Sequence, residues 1–391
     1  MSRVVIAGVG MTDFRKTSAS VPYQLTGEAA ARAALQDAGI EYGDVDMAVT
    51  SYLMGDTCAG QAVIYRLGLT GIPVFNTNNA CASGSSALYL ARQAIAAGEA
   101  GAVLVVGFEE MRPQLQLAFP DRLSPVAWID DATRAQLGPD ANVSTTGWFA
   151  GAAREYMSKY GYGPEPFAHV AAKAHRNASR NPRAAFGEMM TPADVMASKM
   201  IVAPLTKFAC SAPTSGAAAA VLTSEAFAKR RGLRADVKLV AQEMRTDFPP
   251  AREGTSMMSV VGYDMAKATA DALYRKTGIG PDAVQVAEIH DCFASNEVIS
   301  YEALGFVARG DGGRMALAGE ADYGGRIVVN PSGGLMGKGH PIGATGVAQC
   351  AELTWQLRGE AGARQVEGAR VALQHNLGLG GACVVGLYMR D

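Results

Sequence analysis

The sequence predicts an α/β fold of two duplicated halves, each a mixed sheet covered by helices, with a loop domain inserted into the first. Three observations predict it. Strands and helices alternate along the chain, a helix–stop–strand pattern returns 239 residues later, and one atypical stretch interrupts the first half. Alternating elements imply largely parallel strands with helices packed over them.

In chain order, the apolar run 4–10 (VVIAGVG) reads as a buried first strand. It is too short for the apolar region of a signal sequence with its cleavage site. An Ala-rich helix follows from Thr26, stopped by Gly39-Ile40, and a strand is expected over 45–49. Residues 264–290 repeat this unit. The shift lays Ala29 on Ala268, Ala31 on Ala270, Ala33 on Ala272, Gly39 on Gly278, Ile40 on Ile279, Val45 on Val284 and Ala48 on Ala287. Matching alanines alone would be chance; the Gly-Ile stop with an equally spaced valine argues for duplication. A second correspondence pairs Cys81–Gly84, opening a helix over 85–97 and a strand over 102–106, with His340–Gly343, opening a helix over 345–357 and a strand over 371–373. The stretch 111–207 belongs to neither half. It is richer in Pro, Asn, Arg and aromatics, including Trp128, Trp148, Phe149 and Tyr156, and reads as a loop domain covering a binding site. The expected units are therefore 1–110 with 208–235, 111–207, and 236–391.

Composition narrows the function. At about 100–200 residues per domain, the length allows two domains or one composite unit. With 49% apolar and 18% charged residues, a large core is available. A net charge of −2 without a basic block weighs against nucleic acid. No stretch reaches the ~18 apolar residues that span a bilayer, so no membrane association is expected. The end of the chain, Tyr388-Met389-Arg390-Asp391, carries no peroxisomal address, and a cytoplasmic location is expected. Six cysteines form no CxxC pair and lie near no histidine at metal spacing, so neither a disulfide framework nor a metal site is expected.

Four segments carry chemistry. In Asn78-Asn79-Ala80-Cys81-Ala82-Ser83-Gly84-Ser85, a cysteine at a helix start faces free N–H groups and the positive end of the helix dipole, which favour the thiolate. It reads as a nucleophile or as an inert buried cysteine. In 330–343, five glycines surround His340, whose imidazole can take a proton from a thiol near neutral pH. So much glycine suggests a bare backbone that something approaches closely. Glu288-Ile289-His290-Asp291-Cys292-Phe293 ends a predicted strand, where α/β enzymes gather catalytic groups. There His290 could donate to a thioester oxygen and Cys292 could move a proton, or His290 could simply cap the strand. The turn His375-Asn376-Leu377-Gly378-Leu379-Gly380-Gly381-Ala382 can aim backbone N–H groups at an oxyanion. Together the four supply what covalent acyl transfer needs.

From position 4 almost to its end, the chain resembles the thiolases. The sterol-carrier-protein type is the closest match, through Asn-Asn-x-Cys-x-Ser-Gly, His-Asp-Cys-Phe and Asn-Pro-Ser-Gly-Gly…Gly-His-Pro-Ile-Gly-Ala-Thr-Gly. Ordinary thiolases have Asn-Glu-Ala-Phe in place of the second motif. The resemblance implies a layered αβαβα thiolase fold and an acyl-coenzyme A C-acyltransferase. It implies no permanently bound cofactor, with coenzyme A as co-substrate, and a homodimer or homotetramer. Cys81 would take the acyl group. His340 would activate Cys81 and form the first oxyanion hole with His290. The family's usual proton-shuttling cysteine matches Gly378, and Cys292 would replace it. The N–H groups of Cys81 and Gly380 would form the second oxyanion hole, and Ser211 would touch the pantetheine arm. Ser215 departs from the family's usual aspartate. Lys173, His175, Arg176, Arg180 and Arg183 read as contacts to coenzyme A phosphates or as a solvated helix face. Alternatives are a retro-aldol or partner-dependent relative acting on a bulky acyl-coenzyme A, with a small acyl-coenzyme A-binding partner, or a non-catalytic homologue.

Overall fold

The computed structural model describes residues 2–113, 121–253 and 255–390; residues 114–120 of the expected insertion lie outside them. The first half contributes strands β1 (Val4–Met11), β2 (Met47–Ser51), β3 (Val74–Thr77), β4 (Ala102–Glu109) and β5 (Thr214–Ser224). The second contributes β6 (Val237–Arg245), β7 (Val286–Glu288), β8 (Val328–Val329), β9 (Val371–Gly378) and β10 (Ala382–Arg390). They run in the order β8-β7-β9-β10-β6-β1-β5-β4-β2-β3, a palindrome in which β6 answers to β1, β10 to β5, β9 to β4, β7 to β2 and β8 to β3. Each half is mixed: the three strands farthest from the join are parallel and the others antiparallel. The halves meet at one antiparallel pair, Val5 with Lys238.

The duplicated helices are α1 (Tyr23–Ala38) and, in the second half, the helix Tyr263–Thr277. Both end on a left-handed glycine, Gly39 and Gly278, as the repeat predicts. Both following strands begin two residues later than expected, at Met47 and Val286. One-turn helices, Tyr42–Asp44 and Pro281–Ala283, use up the residues before them. The fault is the same in both halves because the local turn is duplicated too.

The helix α2 (Ser83–Ala97) and the helix Thr345–Arg358 lie side by side between the half-sheets, and each touches strands of both halves. Outside them α1 covers the first half-sheet and Tyr263–Thr277 the second, which completes five αβαβα layers. The two inner helices cross at glycine: a Cβ on Gly84 would lie 2.9 Å from the Gly346 nitrogen, and one on Gly346 would lie 2.3 Å from the Ser85 nitrogen. The sequence pairs Cys81–Gly84 with His340–Gly343, but the helices pair Ser83 with Thr345. His340 therefore stands five residues ahead of its helix and Cys81 only two.

The far end of the inner helix Thr345–Arg358 is fastened by Arg358. A bulge between Ile6 and Gly8 frees β1 carbonyls, and the guanidinium donates to Ile6 O at 3.1 Å, Ala7 O at 2.9 Å and Asp37 Oδ2 at 2.7 Å.

Between β4 and β5 lie α3 (Thr145–Tyr160) and α4 (Glu165–Ala178). The cations of α4 and the turn after it have partners within the protein. Lys173 is buried, bonded to the Glu297 carboxylate, to Val329 O at 2.9 Å and to the Tyr301 hydroxyl at 3.3 Å. His175 is buried as well, Arg176 pairs with Asp322, Arg180 lies over the Tyr323 ring, and Arg183 lies over Trp355. Lys173 and Arg176 tie α4 to the second half. Among the described residues no helix is long and apolar enough to cross a membrane.

Removing one partner of a buried ion pair strands the other, at a cost of about 3–5 kcal/mol. Lys173→Met is expected to lower the urea midpoint accordingly, and Lys173→Met combined with Glu297→Gln to recover part of the loss. An unchanged midpoint in the single variant would show that the pair holds nothing in place.

Candidate active site

Both inner helices start beside one cavity of about 340 Å³, lined by Cys81, Ser211, His290, Cys292, His340 and apolar side chains including Met111, Phe149 and Leu379. It lies past the C-terminal ends of parallel strands from both halves, where α/β folds place ligands. Cys81 follows a tight turn in which Ala80 takes φ 48°, a conformation rare for a residue with a Cβ. The Ser83 hydroxyl closes this turn, accepting from Asn79 N at 2.8 Å and donating to Ala80 O at 2.6 Å.

Cys81 Sγ lies 3.2 Å from His340 Nε2. The other ring nitrogen of His340, Nδ1, lies 2.7 Å from the Thr345 hydroxyl, which donates to Pro341 O at 3.0 Å. Thr345 thus accepts from Nδ1–H, which leaves the Nε2 lone pair facing the thiol. Burial, with help from the Lys338 ammonium, pushes His340 down to about 3, so the ring is neutral.

Burial opposes the thiolate that the helix start favours. Burial, with the Glu109 carboxylate, pushes Cys81 up to about 12. Cys81 keeps some exposed surface at the cavity mouth, and the protein packed around the sulfur removes hydration from its charged form. Glu109 itself is buried and raised to about 6 by desolvation, although it accepts from Leu53 N, Met54 N and Gly343 N at 2.9–3.0 Å. It ties a first-half loop to the His340 loop.

The glycines around His340 serve packing within the protein. A Cβ on Gly337 would meet Ala174 O at 2.6 Å, and one on Gly333 would meet the Ala178 Cα at 2.7 Å, so α4 is what approaches this backbone.

His290 follows β7 with its ring edge-on to His340, centroids 5.4 Å apart. Its pKa is held well below the usual histidine value, by burial first and then by His340 and His375. Cys292 is buried beside it; burial raises its thiol well above the usual value, and Cys81 and Asp291 add to the effect. The Cys292 carbonyl accepts from Ser211 N at 2.9 Å, which draws Ser211 to the cavity wall. Gly378 presses on the Cys81 turn, where a Cβ would stand 2.1 Å from Asn79 O, so this backbone has no room for a cysteine there. Gly380 lies in the exposed β9–β10 hairpin, and its neighbour Leu379, not Gly380, lines the cavity. Ser215 bonds Met111 N at 2.9 Å and Ser20 Oγ at 2.7 Å, holding the start of the insertion against β5.

Cys81, His290 and His340 offer ligand atoms within 4.8 Å of one another, close enough for a metal ion. Asn376 Nδ2 lies 3.2 Å from His290 Nδ1, so one nitrogen of that ring is already engaged behind the cavity. Sequence reasoning missed Glu109, Thr345, Ser85 and Asn376 as site residues. All four fall in or beside segments it singled out, but their roles depend on partners far away in the chain.

The family description "Thiolase, N-terminal domain" matches residues 4–226, and "Thiolase C-terminal domain-like" matches 251–385. The chain belongs to the thiolase family. Its relatives identify the sterol-carrier type: human sterol carrier protein 2 is 48% identical over 99% of this chain and 72% of its own length. Non-specific lipid-transfer protein-like 2 of Caenorhabditis elegans is 44% identical over 99% and 96%. The acetyl-CoA acetyltransferase of Methanothermobacter thermautotrophicus is 36% identical over the full length of both chains. Among solved structures, the Ltp2-ChsH2(DUF35) aldolase superposes with a TM-score of 0.83 at 26% identity, covering 100% of this chain and 98% of its own. Human mitochondrial 3-ketoacyl-CoA thiolase in complex with CoA, at 17% identity, TM-score 0.74 and the same coverage, shares the fold.

A thiol raised this far is mostly protonated at neutral pH, and its reactive thiolate grows about tenfold per pH unit. Iodoacetamide labelling of Cys81, followed by peptide mass, is expected to accelerate in that proportion from about pH 7 to about pH 9. A plateau below pH 8 would mean that the helix start outweighs burial.

Proposed function

We propose that this chain is an acyl-coenzyme A C-acyltransferase that cleaves or forms 3-oxoacyl-coenzyme A through a thioester on Cys81. One observation carries the reading: a thiol facing the free lone pair of a buried neutral imidazole, with a second histidine and a second thiol in the same cavity. Cys81 gives its proton to His340 Nε2 as Sγ attacks the 3-keto carbon, and the oxygen of that carbon becomes an oxyanion to which the Cys81 backbone N–H would donate. Its collapse breaks the Cα–Cβ bond and leaves the acyl group on Sγ. The departing enolate oxygen is held by His290 Nε2–H and by His340, now protonated, while Cys292 donates a proton to the carbon. His340 then passes its proton to the Cys292 thiolate; coenzyme A gives its thiol proton to the freed His340 imidazole, its sulfur takes the acyl group, and the departing Cys81 sulfur recovers the proton from His340. Glu109, behind the loop, opposes a free thiolate on Cys81.

A second cavity, of about 390 Å³, shares Ala212 with the first and is lined by Lys16, Lys207, Phe186 and Phe208. The lysines sit 5.4 and 5.3 Å from the Phe186 and Phe208 ring centroids. This supports a path for coenzyme A past Ser211, with phosphates at the lysines and the base on a ring face. In this reading 111–207 covers the site. The edge strand β3, with Phe75 and nearby Leu69 exposed, supports a homodimer paired along that edge. The likeness to an aldolase supports a second reading, retro-aldol cleavage of a bulky acyl-coenzyme A with a partner protein. Retention of Cys81 with its base favours thiolysis.

In a thiolysis assay, Cys81→Ala is expected to abolish loss of the keto-thioester absorbance. Cys292→Ala should slow cleavage by about 10²–10⁴-fold, the usual worth of a general acid. It should still exchange an acyl group between acyl-coenzyme A and labelled coenzyme A, since that half-reaction protonates no carbon. Folded wild-type protein that cleaves neither acetoacetyl-coenzyme A nor a longer 3-oxoacyl-coenzyme A would remove the thiolase reading.

A further inference from the structure

A line of fully buried polar groups runs from the backbone of one inner helix to the catalytic cavity. It begins at the Gly346 carbonyl, which can only accept and receives Gln374 Nε2–H at 2.6 Å. That contact fixes which end of the Gln374 amide is nitrogen, and the Tyr388 hydroxyl, 2.6 Å from Gln374 Oε1, fixes the other. The second Nε2 proton is shared between Ser85 Oγ at 2.9 Å and Gln349 Oε1 at 3.3 Å. Ser85 gives its own proton to Asn376 Oδ1, 2.9 Å from its hydroxyl. The Asn376 amide nitrogen is thereby turned toward His290 and lies 3.2 Å from Nδ1.

An amide nitrogen has only protons to offer, so Nδ1 must be the bare nitrogen of the ring and Nε2 the protonated one. The other tautomer would set N–H against N–H in a site closed to water, leaving buried donors unpaired. Gln374 and Asn376, two residues apart on β9, share the face that meets the crossing of the inner helices; His375, between them, points the opposite way. The His290 backbone is held too: its carbonyl accepts from Asn296 Nδ2 at 2.5 Å.

We infer that Asn376, oriented by Ser85 and Gln374, is a positioning residue that locks His290 as an Nε2–H donor aimed into the cavity. Its geometry stands alone; its use, a preset donor for a developing enolate oxygen, rests on the acyl-transfer reading. A donor fixed before substrate arrives needs no reorganisation during the reaction.

The test is nitrogen NMR on the whole protein with ¹⁵N-labelled histidine, and there are only five histidines to resolve. Wild type is expected to show His290 with a protonated Nε2 and a bare Nδ1, its signals assigned by their loss in His290→Gln. Should that variant not fold, the ring that changes in Asn376→Asp identifies itself. The carboxylate of Asn376→Asp demands Nδ1–H, so the two nitrogens should exchange character. Its kcat should fall about 10²–10³-fold, the worth of one oxyanion donor, while KM moves by less than about threefold. If the charged variant does not fold, Ser85→Ala frees the amide and should give a mixture of both tautomers. A wild-type His290 carrying its proton on Nδ1, or a tautomer indifferent to Asn376→Asp, overturns the inference. Protein that cleaves no 3-oxoacyl-coenzyme A but keeps Nε2–H would defeat the proposed reaction and leave the lock standing.

Discussion

The approach of two helix starts, Gly84 against Gly346, is the contact on which the site depends. Each helix is sandwiched between half-sheets, so neither can shift without opening the core on both sides. Their backbones can touch only because neither residue carries a Cβ. That contact sets the thiol of one half 3.2 Å from the imidazole of the other, across 259 residues of chain. It also brings Ser85 of the first helix within reach of Gln374 and Asn376 on β9. Duplication supplies the symmetry, and the offset of His340 and Cys81 from their helices turns symmetry into a complementary pair.

Desolvation then decides the charges. Cys81 and Cys292 are raised and His340 and His290 are lowered, and burial is the largest cause in all four. The resting site is a set of neutral donors and acceptors whose roles are written in tautomers. Thr345 turns His340 into an acceptor at Nε2, and Asn376 turns His290 into a donor at Nε2. Two histidines in edge-to-face contact therefore present opposite hydrogen-bonding faces to the same cavity. The nearby formal charge of Glu109, held by three backbone N–H groups, opposes a free thiolate on Cys81.

Much of this was legible in the sequence: the repeat, the helix stops at Gly39 and Gly278, and the segments around Cys81, His290, Cys292 and His340. What it left open shares one cause. The glycines near His340 marked a backbone that something approaches, and at Gly333 and Gly337 it is α4; Lys173, read as a coenzyme A contact or part of a solvated face, is paired inside the protein. In each case the partner is distant in the chain, and a local pattern shows that something comes close without showing what.

By itself the sequence determined the class of fold, the family, and which residue types gather at strand ends and helix starts, because periodicity, helix stops and glycine runs are local properties. Only the tertiary structure decided protonation and direction. The state of Cys81 depends on how much water the packed protein removes, and the tautomer of His290 depends on a carbonyl at Gly346 that no reading of either neighbourhood connects to it.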